Sequence, residues 1–215
     1  MTGRRDAIVR LCEQAGIEPF PGWGEYFELA KQWGARTDLT SARTDHELAE
    51  ILFLDASQLI AAGWCALHGS LVDVGAGVGA PSIPILLAET SIEGTLVEPR
   101  RIRTAFLRTA IGVLGIAPRV RVLEQRVDPK HPALPRPRYG VALSRATFPP
   151  EQWLAIGAQL AEQVWILTAG GQLALGERYE LLRRLDYRVP SSGAPRAVLA
   201  CRERVGLRRR RAGMI

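Results

Sequence analysis

The chain predicts an α/β fold: a Rossmann-like, mostly parallel sheet of seven strands with an antiparallel end strand, behind an N-terminal helical extension. Three observations carry that prediction. A short apolar strand, Leu71 to Val74, runs into Gly75, Gly77 and Gly79, then through Pro81 into an apolar run from Ile83 to Ala88. From Ser70 onward, strand-like and helix-like stretches alternate, the pattern of a parallel sheet covered on both faces. Ahead of Ser70 the apolar spacing is helical throughout.

In chain order, Ile8, Leu11, Cys12 and Ala15 mark a first helix over 4–15, ended by Gly16. Trp23, Tyr26, Phe27, Ala30 and Trp33 share one face of a second helix, a stripe that reads as core packing. Asp38-Leu39-Thr40-Ser41 is a polar turn. Thr44 with Glu47 forms a capping box for a third helix running to Gly63. After the first strand, Gly94 to Val97 is the second, ending at Glu98. A helix rich in arginine (Arg100, Arg101, Arg103, Arg108) follows. Arg119 to Leu123 is the third strand and Tyr139 to Leu143 the fourth, ending in Ser144-Arg145-Ala146. The Pro-rich stretch from Pro132 to Pro137 has no regular structure. Residues 151–162 read as a helix, Val164 to Leu167 as the fifth strand and 177–185 as another helix. Tyr187 to Val189 and Ala197 to Cys201 close the chain as a hairpin. The expected division is a helical extension over 1–66, a sheet domain over 67–207 and a disordered basic tail over 208–215.

A strand feeding a helix through glycines is the first half of a nucleotide-binding sheet, because the turn needs positive φ and close backbone approach to a ligand. Gly75-x-Gly77-x-x-Ala80 satisfies the dinucleotide pattern, so the glycines leave the cofactor open. Asp73 discriminates. A carboxylate at the first strand's tip suits an amino group or sulfonium and suits a pyrophosphate poorly. S-adenosylmethionine carries both cationic groups and is favoured over a dinucleotide; a purely structural cap on the turn is the other reading of Asp73. Glu98, at the next tip, can accept both hydroxyls of a ribose. Ligands of open α/β sheets sit outside the carboxyl ends of the strands, which gathers Asp73, Glu98, Asp128 and Arg145 at one crevice.

Charge points to the partner. There are 28 Lys plus Arg against 22 Asp plus Glu, net +6, and only Lys31 and Lys130 are lysines. Guanidinium pairs bidentately with phosphate, and a pI near 9.8 fits a nucleic-acid partner. The three cysteines, Cys12, Cys65 and Cys201, read as free thiols of a reducing compartment. No Cys or His spacing suits a metal, no stretch is long and apolar enough for a membrane span and no signal peptide opens the chain. A cytoplasmic monomer is expected.

The order of motifs resembles the bacterial small-subunit (16S) ribosomal RNA guanine-N7 methyltransferases, the glucose-inhibited division protein B family. The matching pieces are Asp38-Leu39-Thr40-Ser41, Phe53-Leu54-Asp55-Ala56, Val72 to Pro84, Val97-Glu98, Arg103 with Phe106-Leu107-Arg108, Gln125 to Asp128, and Ser144-Arg145-Ala146. The resemblance implies an S-adenosylmethionine-dependent enzyme acting on 16S rRNA or the small ribosomal subunit. It implies cofactor contacts from the glycine turn (Gly75, Gly77, Ala80), with Glu98 on the ribose and Val127 and Asp128 on the adenine. Arg145 would lie beside the methionine end or the target base, or be held in a salt bridge to Asp73 or Asp55. Asp128→Ala and Gly75→Asp are expected to abolish cofactor binding. Departures from the family pattern are Asp38 for Asn, no His near Phe53, Ser82 for Gly, Ile102 for Lys, and Thr168-Ala169-Gly170 where the family has Leu-Lys-Gly. They leave open a methyltransferase acting on a small molecule or protein, or a binding protein that keeps the fold without turnover.

Overall fold

The strand Ser70–Val74 (β1) is buried at every residue, as a central parallel strand requires. The computed structural model describes residues 2–65, 69–135 and 138–204, with side chains from Ala7 onward. The boundary expected at 66–67 and the basic tail from Arg208 lie outside the described residues. Three helices come first: α1 (Thr2–Ala15), α2 (Trp23–Gly34) and α3 (Asp45–Ala61). After β1 the order is α4 (Ser82–Ala88), β2 (Glu93–Val97), α5 (Arg101–Val113), β3 (Val120–Leu123), β4 (Tyr139–Arg145), α6 (Pro150–Leu160), β5 (Ala161–Thr168), β6 (Tyr179–Arg188) and β7 (Pro195–Glu203).

The seven strands form one sheet in the order β3-β2-β1-β4-β5-β7-β6. Strands β1 to β5 run parallel, and β7 is antiparallel to both its neighbours. The register sets Asp73 beside Leu96 and Leu143, Val97 beside Leu123, and Arg145 beside Leu167. The carboxyl ends of β1 to β5 therefore finish along one edge.

One core cluster joins the N-terminal helices to the sheet, α4 and α5. Trp23 stacks on Phe53 at 4.8 Å between ring centroids, and the Trp33 ring meets Phe106 edge-on. The aromatic stripe of α2 is thus core, and its polar tips are used: Trp23 Nε1 donates to the Pro84 carbonyl and the Tyr26 hydroxyl to that of Val78. The second bond fixes the glycine turn from behind. The other sheet face is covered by α6 through Trp153, Leu154 and Ile156. Thr44 caps α3 as expected, its hydroxyl accepting from Glu47 N–H, while the Glu47 carboxylate returns to Arg43 N–H.

The helix expected over 177–185 is strand β6. Leu182, Leu185 and Tyr187 are the half-buried positions packed on the core. A bulge between Leu181 and Arg183 sets the first two three positions apart where a regular strand would set them two apart. That spacing imitates a helical period in sequence. As a strand, β6 lets Arg183 cap the end of α3, donating to the Ala62 carbonyl with its guanidinium over the Trp64 ring. The helix read over 151–162 stops at Leu160, because Ala161 is extended and already pairs with Tyr139.

Candidate active site

The turn after β1 folds back over β2. Gly75 and Ala76 N–H both donate to the Val97 carbonyl, at 2.8 and 3.0 Å. Gly75 has φ +80°, and a Cβ there would lie 2.0 Å from Thr147 Oγ1, so neither the conformation nor the space admits a side chain as built. Gly77 N–H donates to one Glu98 oxygen and Arg100 N–H to the other, both at 2.9 Å. Glu98 is 3% exposed and Asp73 1%. Asp73 accepts from Ser82 Oγ at 2.6 Å. Ser82, a departure from the family's glycine, thus supplies the hydroxyl that satisfies this carboxylate. Burial pushes the Asp73 pKa from its ordinary 3.8 up to about 7; the Ser82 bond and Arg145 pull it back, and Glu98 adds to the rise.

The strand tips bring Asp73, Gly75, Gly77 and Glu98 into one contiguous group. Glu98 N–H donates to the Leu123 carbonyl, which sets the exit of β3 alongside. On that exit Val127 is buried, while Asp128 is exposed with its carboxylate accepting from Lys130 N–H at 2.9 Å. Ala80 belongs to the apolar core.

Arg145 settles into the Asp55 pairing. Its Nη1 donates to Asp55 Oδ2 and to the Ile51 carbonyl, both at 2.9 Å, and the Tyr187 hydroxyl donates to Asp55 Oδ1 at 2.6 Å. Burial and the neighbouring carboxylate both push the Tyr187 pKa upward, so the phenol stays a donor. This ties β4, α3 and β6 together along one wall of a cavity of about 740 Å³. Glu50, Asp55, Arg145 and Phe148 line it, with Arg43 and Arg196 exposed at its rim. Thr168 and Ala169, standing where the family has Leu-Lys, also line it.

Sequence reasoning did not find Glu50, Tyr187 or Ser191. Glu50 accepts from Ser191 N–H at 2.8 Å and Ser191 Oγ at 2.6 Å, which latches the β6–β7 turn onto α3. No sequence signal links residues that far apart. His46 was not expected near the site either, yet its Nε2 lies 3.4 Å from Glu50.

The donor set fits S-adenosylmethionine. Asp73 is a buried carboxylate with one neutral donor, matched to a cation; Glu98 keeps lone pairs for hydroxyls; and the turn at Gly75 leaves room only for backbone. Among the described residues no group of Cys, His, Asp and Glu could hold a metal, and no helix is long and apolar enough to cross a membrane. Sheet order, reversed β7 and acidic strand tips together define an S-adenosylmethionine-dependent methyltransferase. Solved structures agree in fold: Pyrococcus horikoshii PH1948 (TM-score 0.51, 15% identity, 84% of this chain and 97% of that one) and the mitomycin 7-O-methyltransferase MmcR (TM-score 0.50, 14% identity, 86% and 69%).

The GidB family, rRNA small subunit methyltransferase G, matches residues 23–183, and the chain belongs to it. A ribosomal RNA small subunit methyltransferase G of Myxococcus xanthus is 31% identical over 208 residues, covering 90% of this chain and 94% of that one. Its counterpart in Nitratidesulfovibrio vulgaris is 33% identical over 161 residues, covering 69% and 72%. The match to the Clostridium beijerinckii protein, at 26% identity, spans 61% of that relative's length.

Proposed function

We propose that this chain transfers a methyl group from S-adenosylmethionine to N7 of a guanine in small-subunit ribosomal RNA. The single observation that carries the reading is the Asp73–Gly75–Glu98 group, whose turn abuts Thr147, two residues past the Arg145 that walls a nucleotide-sized cavity. Family membership favours RNA over a small-molecule or protein substrate, and turnover over binding alone. The reading has the protein act in the cytoplasm, as a monomer, on 16S rRNA or the small subunit.

The cofactor supplies a methyl already activated by its sulfonium. Guanine N7 offers an in-plane lone pair and needs no base to deprotonate it. The work of the chain is then alignment and exclusion of water, worth up to ~7–11 kcal/mol. Asp73 would hold the cationic amino end, Glu98 the ribose hydroxyls, and the Val127–Asp128 segment the adenine edge. Arg145, fixed by Asp55, would keep the methyl end oriented toward the cavity. A base in a duplex is out of reach, so the target is unstacked or in a loop.

Mass-spectrometric mapping of 16S rRNA from cells with and without the chain tests this, alongside labelled methyl transfer to purified small subunits. One chain-dependent N7-methylguanosine is expected. Transfer to no ribosomal guanine sinks the reading.

A further inference from the structure

Four acidic residues are buried among the described residues: Glu50, Asp55, Asp73 and Glu98. Asp55 is neutralised by Arg145. Asp73 and Glu98 are held by uncharged donors alone, and both face the cofactor in the reading above. Glu50 shares their character. It is 8% exposed, its two oxygens accept from Ser191 N–H and Ser191 Oγ, and among the described residues its one ion-pair partner is the half-exposed imidazole of His46. A buried carboxylate without a cation is costly unless further donors reach it. An ionised carboxylate offers about four acceptor sites, of which Ser191 takes two. Glu50 lines the 740 Å³ cavity.

The rest of the cavity describes its occupant. At the rim, Arg43 and Arg196 are exposed and stand in no ion pair among the described residues. On the floor are carboxylates, and on a wall is the Phe148 ring, stacked against Trp153. Positive charge outside, acceptors within and an aromatic face between suit a nucleotide entering base first with its phosphates at the mouth. Along α3, Glu50 lies five residues before Asp55, about 7.5 Å at the helical rise, comparable to the long dimension of a purine.

Resting on the guanine-N7 reading, we infer that Glu50 is the specificity-determining residue for the target base, accepting from guanine N1–H and the exocyclic N2 amine. N7 lies on the opposite edge of the ring, so holding the donor edge at Glu50 turns N7 toward Arg145 and the methyl. Adenine presents an acceptor at N1 and no amine at C2, and it would leave the two remaining acceptor sites of the buried carboxylate unfilled. Reading a displaced base along its pairing edge is the general solution for enzymes acting on a single base. The backbone N–H of Ser191 holds the carboxylate in place, and Ser191 Oγ adds a second donor that the base reading does not require.

The test compares kcat/KM for 16S RNA carrying guanine at the methylated position with RNA ligated to carry inosine there, which lacks only the N2 amine. The native chain is expected to disfavour inosine by roughly 10- to 100-fold, the worth of one hydrogen bond to a charged group. Glu50→Gln keeps shape and latch; it is expected to lose a similar factor on guanine and to discriminate less than about 3-fold, with cofactor titration unchanged. Ser191→Ala keeps the carboxylate and should keep the discrimination. Equal treatment of both bases by the native chain, undiminished discrimination by Glu50→Gln, or equal loss of discrimination in Ser191→Ala overturns the proposal. Absence of transfer to either RNA by the native chain removes the guanine-N7 reading and this inference together.

Discussion

Around the glycine turn the hydrogen bonds that build the site join residues 2 to 22 positions apart; across the cavity they join residues 90 to 141 apart. The first region is local: one strand, its turn and the tip of the next strand hold each other, chiefly through backbone N–H groups. The second is assembled, with α3, β4 and the β6–β7 hairpin meeting only once the sheet has closed. Cofactor binding and base selection should therefore fail independently. A substitution at the turn should remove cofactor affinity, and one across the cavity should spare it.

The largest expected effect is at the turn. Gly75→Asp adds a Cβ 2.0 Å from Thr147 Oγ1 at φ +80°, and left-handed backbone alone costs roughly 1–2 kcal/mol for a residue with a Cβ. With the clash and a second carboxylate beside Glu98, isothermal titration should show cofactor affinity falling about 100-fold or more. An unaltered titration would place the cofactor elsewhere. Next comes the opposite case. Arg145→Ala leaves Asp55 buried with Tyr187 as its remaining side-chain partner, destabilising the fold by about 2–3 kcal/mol and lowering methyl transfer roughly 30-fold or more. Cofactor affinity should stay within about 3-fold, since a 30-fold effect there would merge the two regions. Adding Asp55→Ala should recover stability in thermal melts and leave transfer low, which separates the ion pair's structural part from its orienting part.

Asp73 gives a pH test about tenfold in size. Its folded pKa, about 7, lies above the ordinary 3.8, so between these values the folded chain holds a proton the unfolded chain has lost. By linkage, stability without cofactor falls as pH rises from about 4 to about 7 and this contribution is flat above. A cationic ligand prefers the ionised carboxylate, so affinity moves the other way, strengthening about tenfold from pH 6 to pH 8 with proton release on binding. Ser82, Arg145 and Glu98 act on Asp73 but do not reverse the sign. Titrations in buffers of different ionisation heat measure the proton, and Asp73→Asn should flatten the profile.

The same division decides what could be read from the residues. Asp73, Gly75, Gly77 and Glu98 stand out because a strand–turn–helix unit puts its ligand groups at fixed offsets, and their grouping follows from the parallel register. The α2 stripe was legible as core because helical period and aromatic content agree. Across the cavity, Asp55 and Arg145 could be named from motifs and their pairing only offered as one of two. Glu50, Tyr187 and Ser191 could not be found, since no local spacing says which loop will lie over which helix. β6 fared worst: a bulge in an edge strand shifts the apolar period, and pairing with β7 overrode the local signal.

Of the residues proposed to hold the cofactor, Asp128 is closest in character to the far side, and it yields the smallest expected effect. Val127 is buried and anchors the segment, whereas the Asp128 carboxylate is exposed and closes a local turn onto Lys130 N–H. An exposed acceptor for an adenine amine competes with water, so Asp128→Ala should weaken cofactor binding about 5-fold, the net worth of one hydrogen bond, instead of abolishing it. The carboxylate has two separable roles, holding the turn and accepting from the base. Asparagine can keep the turn, because its side-chain carbonyl accepts from the backbone two residues on. If Asp128→Asn restores native affinity by titration, the segment works through its backbone shape, like the rest of the cofactor edge. If it stays as weak as Asp128→Ala, the charge itself reads the adenine, and the contrast between a backbone-built edge and a side-chain-built cavity ends at β3.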